Sequence, residues 1–579
     1  MVVEILERSV PQIDHDLHDL HPVLQKVYLA RGIHKKDQLE KDLKNLLSFK
    51  LLSNIDAAVE LILKHIQLKN KILIIGDFDG DGATSTALAV DFFRQLRADI
   101  SYLVPNRFEY GYGLSIELIE VAAKLEPSLI ISVDSGIACL KGIALAKSKN
   151  IDVLVTDHHM QGHDLPIADV IVNPNLKVDT FPSKNLAGVG VIFYVLLALR
   201  SKLREINWFA QNNRSDINMA QFLDLVALGT VADVVPLDYN NRILVQNGLT
   251  RIRTGQCRVG IKALLKVAKR NHRNIVASDL GFAIGPRLNA AGRLDDMSLG
   301  IECLLAEDPM TAFSMAENLD ALNIERKAIE RDMKLEALSL INNLELDNNN
   351  LPIGFCLYNS SFHQGVIGII AARIKDLYYR PVIVFAQDNG VYIKGSCRSV
   401  EGVNIRDVLQ AIATSHPDLI LKFGGHAMAA GLTIKLVDLE KFTDLFNQEV
   451  AKVLNIADIK GKFKTDGEID FDDRDLDLLE LTGVLKNAEP WGQHFTEPSF
   501  TGEFIVSEQR VLADIHMSFK LKPHNNYLGG NIDAIIFNCA ELGWFHQKLY
   551  KVKIVYKLDI NDYNNQKRVQ FMIEYLEAI

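Results

Sequence analysis

The sequence predicts an α/β protein: a doubly wound parallel sheet, a long connecting helix, a second and smaller α/β domain, and a small C-terminal β-barrel. Three observations predict it. Between about residues 51 and 300, short apolar runs such as KILII, SLIISV and IDVLV end in acidic turns and alternate with helical patterns, the pattern of βαβ units. From about 303 to 345 the chain shows sustained 3.6 periodicity with charge on the other faces, which reads as one long helix or two in series. After about 460, alternating segments separated by turns read as a barrel.

Taken in order, residues 1–50 form a polar helical preface to which the sequence assigns no role. The principal domain covers 51–300, the connecting helix 301–345, the second α/β domain 346–455 and the barrel 456–579. Within the principal domain, Lys71 to Ile75 reads as a parallel-sheet strand and Thr84 onward as a helix. In the second domain, strands are expected near Gly354 to Tyr358 and Pro381 to Phe385.

The turn GDFDGDG places Asp77, Asp79 and Asp81 directly after the first strand. Two carboxylates about 4 Å apart repel by roughly 4 kcal/mol at an effective dielectric near 20, so the cluster needs a compensating cation. It lies at the carboxyl end of a strand, where open α/β sheets place their active sites. An EF-hand does not fit: its twelfth position, a bidentate Glu, is Leu88 here, and a strand rather than a helix precedes. A solvated acidic turn is the bland reading. It is displaced because the design recurs in SVDSG with Asp134, in TDHH with Asp157, His158 and His159, and in TVADVVPL with Asp233. Aspartates with imidazole suit manganese, and carboxylates also suit magnesium. The set matches a two-metal phosphoesterase centre.

The ordered motifs GDFDGDGATS, SVDSG, TDHH and GTVADVVPL resemble the DHH phosphoesterase superfamily. Within it, VPNRFEYGYGLS, GPRLNAAGRL, HQGVIGIIAARI, KGSCRS and FGGHAMAAG resemble the RecJ family, single-strand-specific 5′→3′ exonucleases. The resemblance runs from about residue 50 to the C-terminus. It implies a DHH domain, a DHHA1-type domain and an OB-like barrel. It also implies two divalent ions, Mn2+ or Mg2+, held by Asp77, Asp79, Asp134, His158 and Asp233, with Asp134 bridging. Asp81 and Asp157 are expected beside them, and His159 at the scissile phosphate. Many relatives have alanine where this chain has Gly80, a change that loosens the turn and leaves the ligands in place. The implied activity removes 5′-mononucleotides from single-stranded DNA in repair and recombination. A single-strand-binding protein and a helicase are the partners it implies, and a monomer the state.

Composition agrees. The chain has 579 residues, 48% hydrophobic and 23% charged, enough for three or four domains. Six cysteines are scattered without a C-x-x-C pair, which argues against a disulfide framework and a zinc-thiolate site. The opening MVVEILERSVPQIDHD has early acids and no signal-peptide core. Val189 to Leu199, the most apolar stretch, is too short to cross a bilayer. A cytoplasmic, reducing location is expected. The net charge of −10 neither supports nor excludes DNA, since local placement of cations decides phosphate binding.

The phosphate-handling candidates are Arg107, Arg287, His363, Arg373, Ser396, Arg398, Gly424, Gly425 and His426. KFGGHAMAAG is read as two glycines before a helix start, where N–H groups approach a phosphate. KGSCRS offers a hydroxyl and guanidinium set suited to phosphate oxygens. In the barrel, Trp491, Phe495, Phe500, Phe519 and Tyr527 interleave with Arg510, Lys520 and Lys522, as sequence-tolerant strand binding requires; the alternative is that these aromatics fill the core. The rival functions are another DHH phosphoesterase acting on short oligonucleotides, cyclic dinucleotides or pyrophosphate, a non-catalytic replication scaffold, and a Rossmann-type oxidoreductase. The scaffold conflicts with the intact ligand set. The oxidoreductase lacks a G-x-G-x-x-G motif.

Overall fold

The computed structural model describes residues 3–106, 110, 113–343, 351–455, 459–523, 530–540, 542, 544–563 and 566–579. Arg107 and Tyr527 therefore lie outside the described residues. The chain divides into two compact units, residues 1–5 with 321–463, and residues 6–320 with 464–579.

The N-terminal segment corrects the helical expectation. It holds a strand, β1 (Val3–Glu7), one eight-residue helix (Pro22–Leu29) and three short 3-10 turns. The parallel sheet follows with strands β2 (Ile72–Ile75), β3 (Ile100–Leu103), β4 (Leu129–Val133), β5 (Asp152–Thr156) and β6 (Val170–Val172). Their order is β3-β2-β4-β5-β6, all parallel. Every residue of β2 and β4 is buried, as expected for strands covered on both faces. The chain leaves β2 toward β3 on one side and returns to β4 on the other, so the crevice past β2 and β4 is the topological switch point.

Three helices close this crevice: α1 (Gly80–Leu96), α2 (Gly188–Glu205) and α3 (Leu223–Ala232). Helix α1 begins at Gly80, four residues before the expected Thr84, because Asp79 caps it: Asp79 Oδ1 accepts from Asp81 N and Gly82 N, both at 3.0 Å. The capping aspartate replaces the missing intrahelical acceptors. Val189 to Leu199 lies inside α2, and among the described residues no helix is long and apolar enough to cross a membrane. The long helix α4 (Pro309–Asn343) follows a short one, Ser298–Leu305.

The unit containing residues 321–463 carries a mixed sheet. Its strands are β7 (Phe355–Tyr358), β8 (Val382–Gln387), β9 (Tyr392–Arg398), β10 (Lys422–Gly425) and β11 (Ala429–Lys435), in the order β10-β11-β9-β8-β7. Helix α5 (Ile367–Tyr378) packs against β8 and β9. KFGGHAMAAG is not a helix start. It is the hairpin of β10 and β11, turned at Gly425 with φ +142°, a region that favours glycine.

Strand β12 (Gly461–Thr465) pairs with β1. Beyond it, β13 (Phe500–Leu512), β14 (His516–Pro523), β15 (Ile532–Ile536), β16 (Lys551–Tyr563) and β17 (Gln566–Ala578) close a barrel in the order β13-β14-β15-β17-β16. Phe500 and Phe519 are almost wholly buried and belong to its core. Trp491 and Phe495 are buried too, stacked on each other at 5.2 Å between centroids and 11° between planes. For these four aromatics, core filling wins over base stacking. Arg510 and Lys520 remain partly exposed on the barrel, both paired with Glu508.

The Trp491–Phe495 pair is the centre of a junction linking the N-terminal segment, the sheet domain and the barrel. The guanidinium of Arg31 lies 5.5 Å from the Trp491 ring and that of Arg242 lies 4.1 Å from Phe495. The order Arg31, Trp491, Phe495, Arg242 is a continuous cation–π column. Two buried acids hold its ends. Asp466 accepts from Arg31 Nη1 at 2.7 Å and Nη2 at 3.0 Å, and Glu489 accepts from Lys41 Nζ at 2.8 Å with Arg242 Nη1 3.4 Å away.

Candidate metal centre

Each acidic motif leaves the carboxyl end of its strand and meets the others at the switch point. Asp77 follows β2, Asp134 follows β4, and Asp157 with His158 and His159 follows β5. Asp233 caps the end of α3. Three sets of potential ligand atoms each lie within 4.8 Å of one another: Asp77 with Asp79 and Asp134, Asp134 with His158 and His159, and Asp81 with His158 and Asp233. His158 Nε2 is 3.1 Å from Asp134 Oδ1 and 3.5 Å from Asp233 Oδ2. All five expected ligands are therefore neighbours, and Asp134 and His158 each belong to two sets.

The electrostatics call for cations. Asp134 is 2% exposed, and the contact of its Oδ1 with His158 Nε2 at 3.1 Å lacks hydrogen-bond geometry. Burial, followed by the charges of Asp81, Asp79, Asp233 and Asp77, pushes its pKa well above the usual carboxylate range. Asp233 is pushed up in the same way by burial and then by Asp81 and Asp79. Such a concentration of buried carboxylates is relieved by protonation or by bound cations. Oxygen and imidazole donors in this number suit Mn2+ or Mg2+, so the residues present fit a divalent-metal site.

Two of the expected catalytic residues have structural partners that fix their work. Asp81 Oδ2 and Oδ1 accept from Gly188 N at 2.6 Å and Val189 N at 2.9 Å, the unsatisfied donors at the start of α2. Burial and the neighbouring Asp79 still push Asp81 up to about 7. Asp157 accepts from Ile137 N at 2.9 Å, from the N–H groups of His158 and His159, and meets His159 Nδ1 at 2.8 Å. Burial opposes its ionisation, yet these bonds hold its pKa well below the usual range. In return His159 is raised to about 9, against its own burial, by the hydrogen bond to Asp157 and the surrounding acids.

The site also uses residues that sequence reasoning missed. Asn173 Nδ2 donates to His159 O at 2.8 Å and Asn175 Nδ2 to His158 O at 2.6 Å, so the NPN segment after β6 holds the double-histidine loop. Asn289 Oδ1 accepts from Gly80 N at 2.6 Å, steadying the aspartate turn. Asn289 sits within GPRLNAAGRL, so a signal is present there, although that motif draws attention to its arginine instead. Gly188 carries no such signal. A Cβ there would lie 2.5 Å from Asp134 Cβ.

The arginine candidates divide. Arg287 is tied up by Asp320 at 2.7 Å and the carbonyl of Ala283 at 2.6 Å, a structural ion pair rather than an open phosphate contact. Arg373 pairs with Glu330 at 3.0 Å. Arg398, at the end of β9, meets Ser396 Oγ at 3.4 Å and Cys397 O at 2.8 Å, and burial lowers its pKa. No carboxylate pairs with it among the described residues. The start of α5 packs on this pair: a Cβ at Gly368 would be 3.0 Å from Ser396 Oγ and 3.1 Å from Arg398 Nη2. His363 stands before α5 and accepts from Gly365 N at 3.1 Å. Of the hairpin candidates, Gly424 and His426 are exposed.

Comparison with known proteins agrees with this architecture. Residues 71–230 match the model of the DHH family N-terminal domain, 352–452 that of the DHHA1 domain, and 465–575 that of the RecJ OB domain. The chain is 47% identical over 573 residues to a single-stranded-DNA-specific exonuclease RecJ of Dickeya dadantii, covering 98% of both chains. It is 45% identical to the protein of that name from Escherichia coli, covering 100% of this chain and 99% of that one. The crystal structure of RecJ in complex with Mn2+ from Thermus thermophilus superposes with a TM-score of 0.79 at 26% identity, covering 100% of this chain and 80% of that one. The Mg2+ complex of the same protein gives 0.75. Carrying all three domains at near-full-length identity to such relatives, the chain belongs to the RecJ family.

Proposed function

We propose that this protein is a single-stranded-DNA-specific exonuclease that hydrolyses phosphodiesters from the 5′ end, releasing 5′-mononucleotides in DNA repair and recombination. The observation that carries the reading is the cluster of Asp77, Asp79, Asp134, His158 and Asp233 at the switch point, with interlocking ligand sets that share Asp134 and His158. These five residues would hold two divalent ions, Mn2+ or Mg2+. When bound, such ions supply Lewis-acid charge that makes water a stronger acid and offsets the charge of a phosphate ester.

The chain's own residues supply the rest. Asp81 anchors the start of α2 and so sets the distance between the aspartate turn and the helix against Asp134. Asp157 orients His159 through Nδ1, and His159 is the cation assigned to the non-bridging oxygens. Arg398 and Ser396, beside the start of α5, are suited to a terminal phosphate. A monomeric state, a cytoplasmic location, and a single-strand-binding protein and a helicase as partners complete the proposal on family grounds.

The test is a time course on a long single strand labelled at either end, with Mn2+ or with chelator. Early metal-dependent release of a mononucleotide from the 5′ label, with the 3′ label kept in shortening strands, is the expected result. Cleavage confined to dinucleotides or very short oligomers would overturn it in favour of a small-substrate phosphodiesterase.

A further inference from the structure

The segment that follows Asp233 is strained and is gripped from the barrel side. Val234 has φ +63° and is 60% exposed. A β-branched residue is a genuine outlier there, and its own side chain is not packed tightly enough to hold it. What holds it lies further along. Leu237 N donates to Gln493 O at 2.9 Å. A Cβ on Gly492 would sit 2.6 Å from Leu237 Cδ1, so the two segments are in close contact. On the far side Asn241 Nδ2 donates to Pro236 O at 3.0 Å, and the next residue, Arg242, stacks on Phe495. The 491–495 loop is itself fixed by the Arg31–Trp491–Phe495–Arg242 column.

From this we infer that the 491–495 loop, through Leu237 and Arg242, is a positioning element for Asp233. It holds Val234 in a conformation the residue would otherwise leave, and so keeps the Asp233 carboxylate among Asp81 and His158. Residues 1–50 then have a function. Arg31 and Lys41 brace this loop by way of Asp466 and Glu489. Trp491 and Phe495 are positioning residues rather than base-stacking ones. The inference rests on the reading of Asp233 as a metal ligand. Strain of this kind persists where the surroundings over-determine it and is commonly part of a site's pre-organisation.

The experiment measures Mn2+ affinity directly, by the electron paramagnetic resonance signal of free Mn2+, on metal-free full-length protein without substrate. Phe495→Leu removes the stacking face, and Gly492→Val pushes on Leu237 while leaving every side chain of the column in place. Groups that orient a metal ligand typically carry about 10–100-fold in affinity, so each variant should weaken binding by about tenfold. Glycine occupies positive φ without penalty. Val234→Gly, added to either variant, should therefore restore most of the lost affinity, which a general loss of packing would not allow. Asp233→Asn is the control. If it leaves Mn2+ binding unchanged, the ligand reading of Asp233 fails. If it weakens binding while Phe495→Leu and Gly492→Val do not, or if Val234→Gly restores nothing, the positioning inference is overturned. Thermal unfolding of each metal-free variant identifies any that does not fold, and the other then decides.

Discussion

Gly188→Ala adds one methyl group where α2 meets the metal centre. The new carbon would lie 2.5 Å from Asp134 Cβ, 2.7 Å from Oδ1 and 2.8 Å from Cα. Favourable carbon contacts fall at about 3.5–4.0 Å, so the overlap is roughly 1 Å and falls on atoms that cannot swing away. Overpacking of this kind costs about 1–3 kcal/mol. With Cα and Cβ as the obstacles, about 2–3 kcal/mol is expected. If the strain is relieved by displacing Asp134, Mn2+ affinity falls by about 30–150-fold. Gly190 is the internal control. A Cβ there would meet Leu186 Cδ2, the end of a side chain, at 3.2 Å. The gain in helix propensity, up to about 1 kcal/mol, offsets that readjustment. Urea denaturation of the metal-free proteins and Mn2+ titrations of strand cleavage should separate the two variants. Equal stability and equal metal dependence would refute the claim that the start of α2 sets the position of Asp134.

Other perturbations follow from the same geometry. Asp134→Asn should abolish turnover yet stabilise the metal-free protein at pH 7, because a buried carboxylate with a raised pKa opposes folding once the pH exceeds its ordinary value; chelator-treated urea melts check this. His159 is raised from 6.5 to about 9, so the stabilisation it provides is fully present below about pH 6.5 and fades as the pH rises through about 9. His159→Gln should flatten that stretch of the stability–pH curve. Asp466→Asn leaves Arg31, 5% exposed, beside a neutral amide. Breaking a buried pair typically costs about 3–5 kcal/mol, and the loss should be seen as a lowered urea midpoint.

The cluster of aspartates and histidines was legible because its chemistry is local. Asp77, Asp134 and Asp157 each follow a short, largely apolar strand within a few residues, and parallel strands bring such ends together. What shapes the site from afar was not legible. Asn289 and Gly188 act on segments 209 and 107 residues away, Asn173 and Asn175 across 14 and 17 residues, and none carries a periodicity. The hairpin of β10 and β11 resists reading because its glycines and alanines offer no side chains to report a period of two. For the barrel aromatics the sequence alone leaves base stacking and core filling both open, with core filling the weightier for any one of them. Phe500 and Phe504 on β13, and Phe519 on β14, recur at even spacing on the inward face of their strands, which is how a core reads as well. Residues 1–50 resist reading because their one strand and one eight-residue helix are short, and because Arg31 and Lys41 are fixed by ion pairs to Asp466 and Glu489, which leave no periodic trace.

Those ion pairs also order events in time. Arg31 is 435 residues ahead of Asp466 and Lys41 is 448 ahead of Glu489. At about 5–20 residues per second, the ribosome delivers each partner roughly 20–90 s after the arginine or lysine has emerged. The strands of the parallel sheet, all within residues 72–172, are complete well before that. Arg31 and Lys41 are therefore secured only after residues 466 and 489 have been made, and a nascent molecule holds the candidate ligands Asp77, Asp134 and His158 long before it holds the brace proposed for Asp233.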